Sequence, residues 1–179
     1  MKKVFLIITM FCVCFSLFSQ ETEKVKTEAK NEIKLNLLMT LLSFPDISYE
    51  RIWGNNIGVG LSAGFPLENF DTNFRLIPYC RFYFGESPVK SFFIEANVGI
   101  QGYKKYTYTP EYYGYGGSYE YYGHNSQAEN STNVGLGVAF GYKYINSYGL
   151  IGELFLGIGR TFDDYGAYPR VGISIGKQF

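Results

Sequence analysis

Much that would mark a soluble enzyme or a nucleic-acid binder is missing from this sequence. Net charge is zero, because Lys plus Arg and Asp plus Glu each total 16, so no positive excess points to nucleic acid. Histidine is nearly absent. His124 stands alone, which leaves no second imidazole for a zinc site and no local partner for a nucleophile. Cysteine is scarce, with Cys12 and Cys14 close to the start and Cys80 far from both. No phosphate-cradling glycine loop, nucleophile–base pair or metal-ligand spacing occurs, so no catalytic residue, cofactor or metal is expected. Long apolar runs are lacking too. The one candidate, from Val4 to Phe18, is short for a membrane-spanning helix.

That run fits a secretory signal instead. Lys2 and Lys3 precede it, and Ser19 offers a small residue for a cut before Gln20. The expected organisation is a signal peptide at 1–19, a polar periplasmic leader at 20–31 and one domain at 32–179. Cleavage removes Cys12 and Cys14, so the exported chain keeps only Cys80 and relies on no internal disulfide.

What is abundant is the pairing of aromatics, 19% of residues, with 21 glycines. A lipid-facing sheet around a crowded interior uses both. The last ten residues show how. Val171, Ile173, Ile175 and Phe179 share one parity, while Gly172, Ser174, Gly176 and Gln178 share the other. A period of two makes a strand with one apolar face and one small, polar face. Seven further segments alternate in the same way, at 32–41, 46–53, 57–65, 75–84, 92–103, 133–144 and 150–160. Most have the length that a tilted strand needs to cross a bilayer. The expected fold is all-β, an eight-stranded antiparallel up-and-down transmembrane barrel.

Connections alternate in length. Residues 54–56, 85–91 and 145–149 are short and turn-forming, whereas 66–74, 104–132 and 161–169 are long, with one short exception at 42–45. Short turns in the periplasm and long loops outside is the outer-membrane pattern, and an even strand number puts both termini in the periplasm. The small, charge-poor face suits a narrow interior, so the bulky face is read as lipid-exposed. Cys80 belongs to that face, and Trp53, Phe84, Phe92, Tyr144 and Tyr148 near the short turns suit an interfacial belt. Arg51, between Tyr49 and Trp53, requires either snorkelling to the interface or a bulge that turns it inward.

Four segments carry a family resemblance: Lys34-Leu35-Asn36-Leu37-Leu38, Ile47-Ser48-Tyr49-Glu50-Arg51, Ile77-Pro78-Tyr79-Cys80-Arg81-Phe82-Tyr83-Phe84, and the stretch from Pro169 to Phe179. In this order they resemble a family of small Gram-negative outer-membrane barrels known only as a domain of unknown function. The architecture is similar to the OmpA transmembrane domain and to OmpX. The resemblance implies an outer-membrane location, contact with its lipid, and dependence on periplasmic chaperones and the barrel insertion machinery. It also implies that Phe179 acts as part of the assembly signal, and it supplies no catalytic residues.

Two constellations are candidates for a role. The inward parity holds Lys34, Glu50, Arg81, Glu95, Lys143 and Glu153, three of each sign, all a few residues in from the short-turn rim. Charges enclosed in so narrow a barrel are expected to pair into a polar plug, with Arg81 and Glu95 in direct contact. Residues 103–122, at the start of the third loop, hold nine of the 17 tyrosines, including Tyr106, Tyr108, Tyr112, Tyr113, Tyr115, Tyr119, Tyr121 and Tyr122. Tyrosine beside glycine gives contact area on an adaptable backbone, which suits a glycan or protein ligand; an extended hairpin with no partner is the plainer reading. His124 and the neighbours Asp163 and Asp164 read as solvated loop residues. The expected function is a structural or cell-surface role. An outer-membrane enzyme acting on lipid or peptide, and a soluble exported lipocalin-like carrier, are the alternatives.

Overall fold

A computed structural model describes the backbone at residues 30–68, 71–84, 90–115, 118–162 and 166–179, and side chains there except at 105–128. The expected signal peptide, nearly all of the leader, Asp163, Asp164, and the side chains of His124 and of Tyr106 to Tyr122 lie outside the described residues.

Alternation of residue type produces eight strands: β1 (Asn31–Asn36), β2 (Asp46–Trp53), β3 (Ile57–Gly64), β4 (Thr72–Phe84), β5 (Lys90–Tyr115), β6 (Ser118–Ile145), β7 (Leu150–Thr161) and β8 (Ala167–Gln178). Each pairs antiparallel with its neighbours in sequence, and β1 pairs with β8 from Glu32↔Gln178 to Asn36↔Ser174, which closes the barrel. Closure removes the sheet edges of the barrel wall, where β4–β5 pairing reaches Thr72↔Tyr103 and β6–β7 pairing reaches Gly135↔Thr161.

The two faces differ sharply. Val138, Phe140 and Ile158 point outward at 60%, 63% and 62% exposure, and Trp53, Phe84, Phe92, Tyr144 and Tyr148 are exposed beside the short turns. So broad an apolar exterior is stable only against hydrocarbon. It also excludes the lipocalin-like arrangement, which puts the bulky face inside. Cys80 is exposed on the outward face. Arg51 points outward as well, and the ladder through it is unbroken on both sides, Asn31↔Arg51 and Arg51↔Val59, so no bulge turns it inward.

The structure corrects three sequence expectations. The first strand stops at Asn36, and residues previously assigned to its apolar row form a short helix, α1 (Leu37–Leu41). Asn36 causes the break. Its side chain accepts from the Met39 N–H at 3.3 Å, and its carbonyl accepts from the Thr40 hydroxyl at 2.7 Å, the local bonding by which an N-cap competes with a strand. The chain then returns through Ser43, whose φ is 61°, directly into β2.

Second, residues 104–115 and 118–132 are strand, the hairpin-extended form of the third connection rather than an irregular loop. The β5–β6 ladder continues to Tyr115↔Ser118, with one irregularity between Pro110 and Tyr112. Alternating threonine and tyrosine favour strand here, and Pro110 lacks the N–H that a regular ladder uses.

Third, the inner face is not merely small. Tyr79, Tyr83, Phe93, Phe155 and Tyr168 all point inward and are buried. Glycines on facing strands make their room: a Cβ at Gly99 would lie 2.6 Å from Tyr168 Cζ, and one at Gly141 2.5 Å from Phe93 Cζ.

Candidate functional site

Among the described residues, the lumen contains ten buried charged side chains. Five are acids (Glu32, Asp46, Glu50, Glu95, Glu153) and five are bases (Lys34, Arg75, Arg81, Lys143, Arg170). Every strand except β3 contributes at least one, and β3 contributes Ser62. Strand alternation is what aims them inward, since each stands on the buried parity of its own strand.

Near the short turns, Lys34 Nζ is held by Glu50 at 2.5 Å, Glu153 at 2.7 Å and Glu32 at 3.3 Å. Lys143 Nζ reaches Glu32 at 2.9 Å and lies 4.0 Å from the centre of the Tyr83 ring, while the Tyr83 hydroxyl donates to Glu50. Beside this group, Arg81 binds Glu95 through Nε at 2.8 Å and Glu50 and Glu153 through Nη1 at 2.9 and 3.0 Å. Its guanidinium lies over Phe93 at 4.2 Å and Tyr79 at 4.6 Å, cation–π contacts on two rings at once.

Glu95 carries the network toward the other rim. It accepts from Arg170 Nε at 2.8 Å, and Arg170 in turn lies 3.8 Å from Asp46, which also pairs with Arg75 at 3.3 Å. Ser62 donates to Asp46 and completes that end. Asn97 donates to Glu95 at 3.0 Å and accepts from the Tyr168 hydroxyl at 2.7 Å, so the acid is bonded on all sides. Ion pairs therefore run without interruption from one end of the described lumen to the other. Such pairing is what makes ten charges tolerable in so small a space, because a buried ion left alone costs several kcal/mol, on the order of the whole stability of a small domain.

Glu32, Glu50 and Glu153 present oxygens within 4.8 Å of one another, an array that could bind a divalent cation. In this barrel the centre of the array is taken by the Lys34 ammonium. The cation is part of the chain.

The structure places Lys34, Glu50, Arg81, Glu95, Lys143 and Glu153 in one connected cluster, and Arg81 and Glu95 are register partners as well as an ion pair. Four further members escaped the sequence reading. Glu32 shares parity with Lys34, Asp46 with Glu50, Arg75 with Arg81, and Arg170 with Ser174, so the same alternation carried the signal for all four. Phe179, exposed at the short-turn rim, exchanges backbone hydrogen bonds with Asn31 at 2.8 and 3.1 Å.

A closed eight-stranded barrel with a hydrocarbon-like exterior and a charge-compensated interior is a transmembrane β-barrel of the outer-membrane type. The chain belongs to the DUF3575 family of proteins of unknown function, whose model matches residues 6–177. Among solved structures it is similar to the N-terminal β-barrel domain of Pseudomonas aeruginosa OprF, at 13% identity and a TM-score of 0.59, over 84% of this chain and 98% of that one. It is also similar to Neisserial surface protein A, at 10% identity and a TM-score of 0.48, over 84% of this chain and 96% of that one. At such identities the likeness concerns the fold. No curated protein matches the sequence.

Proposed function

We propose that this protein is a closed outer-membrane barrel with a structural or cell-surface role, and not a diffusion pore. The observation that carries this reading is the lumen, where ion pairs link seven strands and aromatic rings fill the space between them. An ion crossing it would have to part pairs that have no water to replace them. Single-channel recording in planar bilayers tests the point. Wild-type protein should give no large, steady openings, and a stable open level would overturn the reading.

On the same reading, the β5–β6 hairpin is the contact surface offered to the cell's surroundings, with the tyrosines Tyr106 to Tyr122 as the contact-rich part. Its exposure can be checked by cysteine labelling in a Cys80→Ala background. A cysteine replacing Gly117 should react with an impermeant maleimide on intact cells, whereas one replacing Asn55 in the short β2–β3 turn should react only after lysis. Equal labelling of both positions would overturn the orientation.

A further inference from the structure

We propose that the periplasmic rim formed by β8, β1 and β2 is a docking site for one anionic glycerophospholipid, its phosphate held between Arg51 and Lys177. This rests on the membrane-spanning reading above, with the short turns toward the periplasm.

Sign comes first. Among the described side chains, the charges directed outward at the short-turn rim are Lys30, Arg51, Lys90 and Lys177, all cations. Lys90 already lies 5.1 Å from the centre of the Tyr144 ring. Arg51 and Lys177 have no acidic partner among the described residues, although both stand on the outward parity of a lipid-facing sheet. A guanidinium in that position is costly in hydrocarbon, and a phosphate oxygen is the partner that this depth supplies.

Register brings the two together. Arg51 lies opposite Asn31 and Lys177 opposite Ile33, so both flank β1 with an offset of two residues. Two strand spacings separate β2 from β8 by about 10 Å, a gap that both long side chains can close from opposite sides. The floor between them is fixed, because the Tyr49 hydroxyl donates to Asn31 Oδ1 at 2.9 Å. Above the floor, exposed Ile33, Ile47, Leu61 and Ile173 form an apolar slope along which acyl chains can lie. A zwitterionic headgroup brings its own cation into this positive field, so phosphatidylglycerol should be favoured over phosphatidylcholine. Two cations near one anionic headgroup give a preference of roughly tenfold or more.

The test uses the full chain folded into detergent micelles doped with either lipid at equal acyl length. Folding is read by heat-modifiable gel mobility, and lipid retention by native mass spectrometry. Wild type and a Lys104→Gln control at the opposite rim should retain phosphatidylglycerol about tenfold over phosphatidylcholine, and Arg51→Gln/Lys177→Gln should lose that preference while still folding. Equal retention of both lipids by wild type, or a preference that survives in the double variant, overturns the site. Absence of a heat-modifiable barrel in either lipid would instead defeat the membrane-spanning reading, and the site with it.

Discussion

Lys34→Met should unfold the barrel more readily than any other single change in the lumen. Methionine has nearly the length of lysine and packs well, so the steric loss is small. The electrostatic loss is not small. Removing the ammonium leaves Glu32, Glu50 and Glu153 within 4.8 Å of one another, and of these Glu32 keeps Lys143 while Glu50 and Glu153 must share Arg81. Breaking a buried pair costs about 3–5 kcal/mol, and here three pairs share one cation. Equilibrium unfolding by urea from lipid vesicles measures this, with Trp53, the sole tryptophan, reporting insertion from the lipid side. The partner variant Lys34→Met/Glu153→Gln restores neutrality and should recover part of the loss, the signature of a coupled pair in a double-mutant cycle. Wild-type stability in the single variant would mean that the network contributes nothing to holding the strands.

Glu95→Ala should come second, for a different reason. Glu95 is the junction between the two halves of the lumen, and its removal takes one partner from Arg81 and the nearest acid from Arg170. Arg81 retains Glu50 and Glu153, but Arg170 is left only with Asp46 at 3.8 Å and Ser62 at 3.4 Å. A loss of about 3–5 kcal/mol is expected by the same reasoning, against well under 1 kcal/mol for Asp164→Ala in the outer connection. Glu95→Gln preserves the shape and some hydrogen bonds, so it should fall between them. Equal effects of Glu95→Ala and Asp164→Ala would detach the ion pairs from stability.

Most of this architecture was legible because a barrel strand shows its two faces directly in the sequence. Parity alone placed Ile33 outside and Lys34 inside, and it did so along nearly every strand. It failed at Leu37, Met39 and Leu41, where the apolar alternation continues past Asn36 although a side-chain cap has already ended the strand. Parity also says nothing about volume. That Tyr168 fits because Gly99 and Gly159 oppose it depends on which residues face each other across strands, and register is invisible in a single sequence. Arg170 shares the inward parity of Gly172 and Ser174, but a long basic side chain at the head of a strand reads equally as a solvated rim residue. The hairpin beyond Tyr103 was legible only as one of two readings, for a simpler reason. Its glycines and tyrosines suit a loop and a ladder alike.

Placing the charges on a single parity has a consequence for how the chain reaches this state. If a strand slipped by one residue during closure, its inward set would turn toward hydrocarbon. For β4 that would turn Arg75 and Arg81 toward lipid, at a cost that reaches about 2–4 kcal/mol for a cation at the midplane and falls toward the rims, and it would break the Arg75–Asp46 and Arg81–Glu95 pairs. Every strand except β3 carries such a penalty, so misaligned barrels are disfavoured at seven places independently of the hydrogen bonds they could still form. The ion pairs act as a proofreading device for strand alignment, and only one alignment satisfies them all.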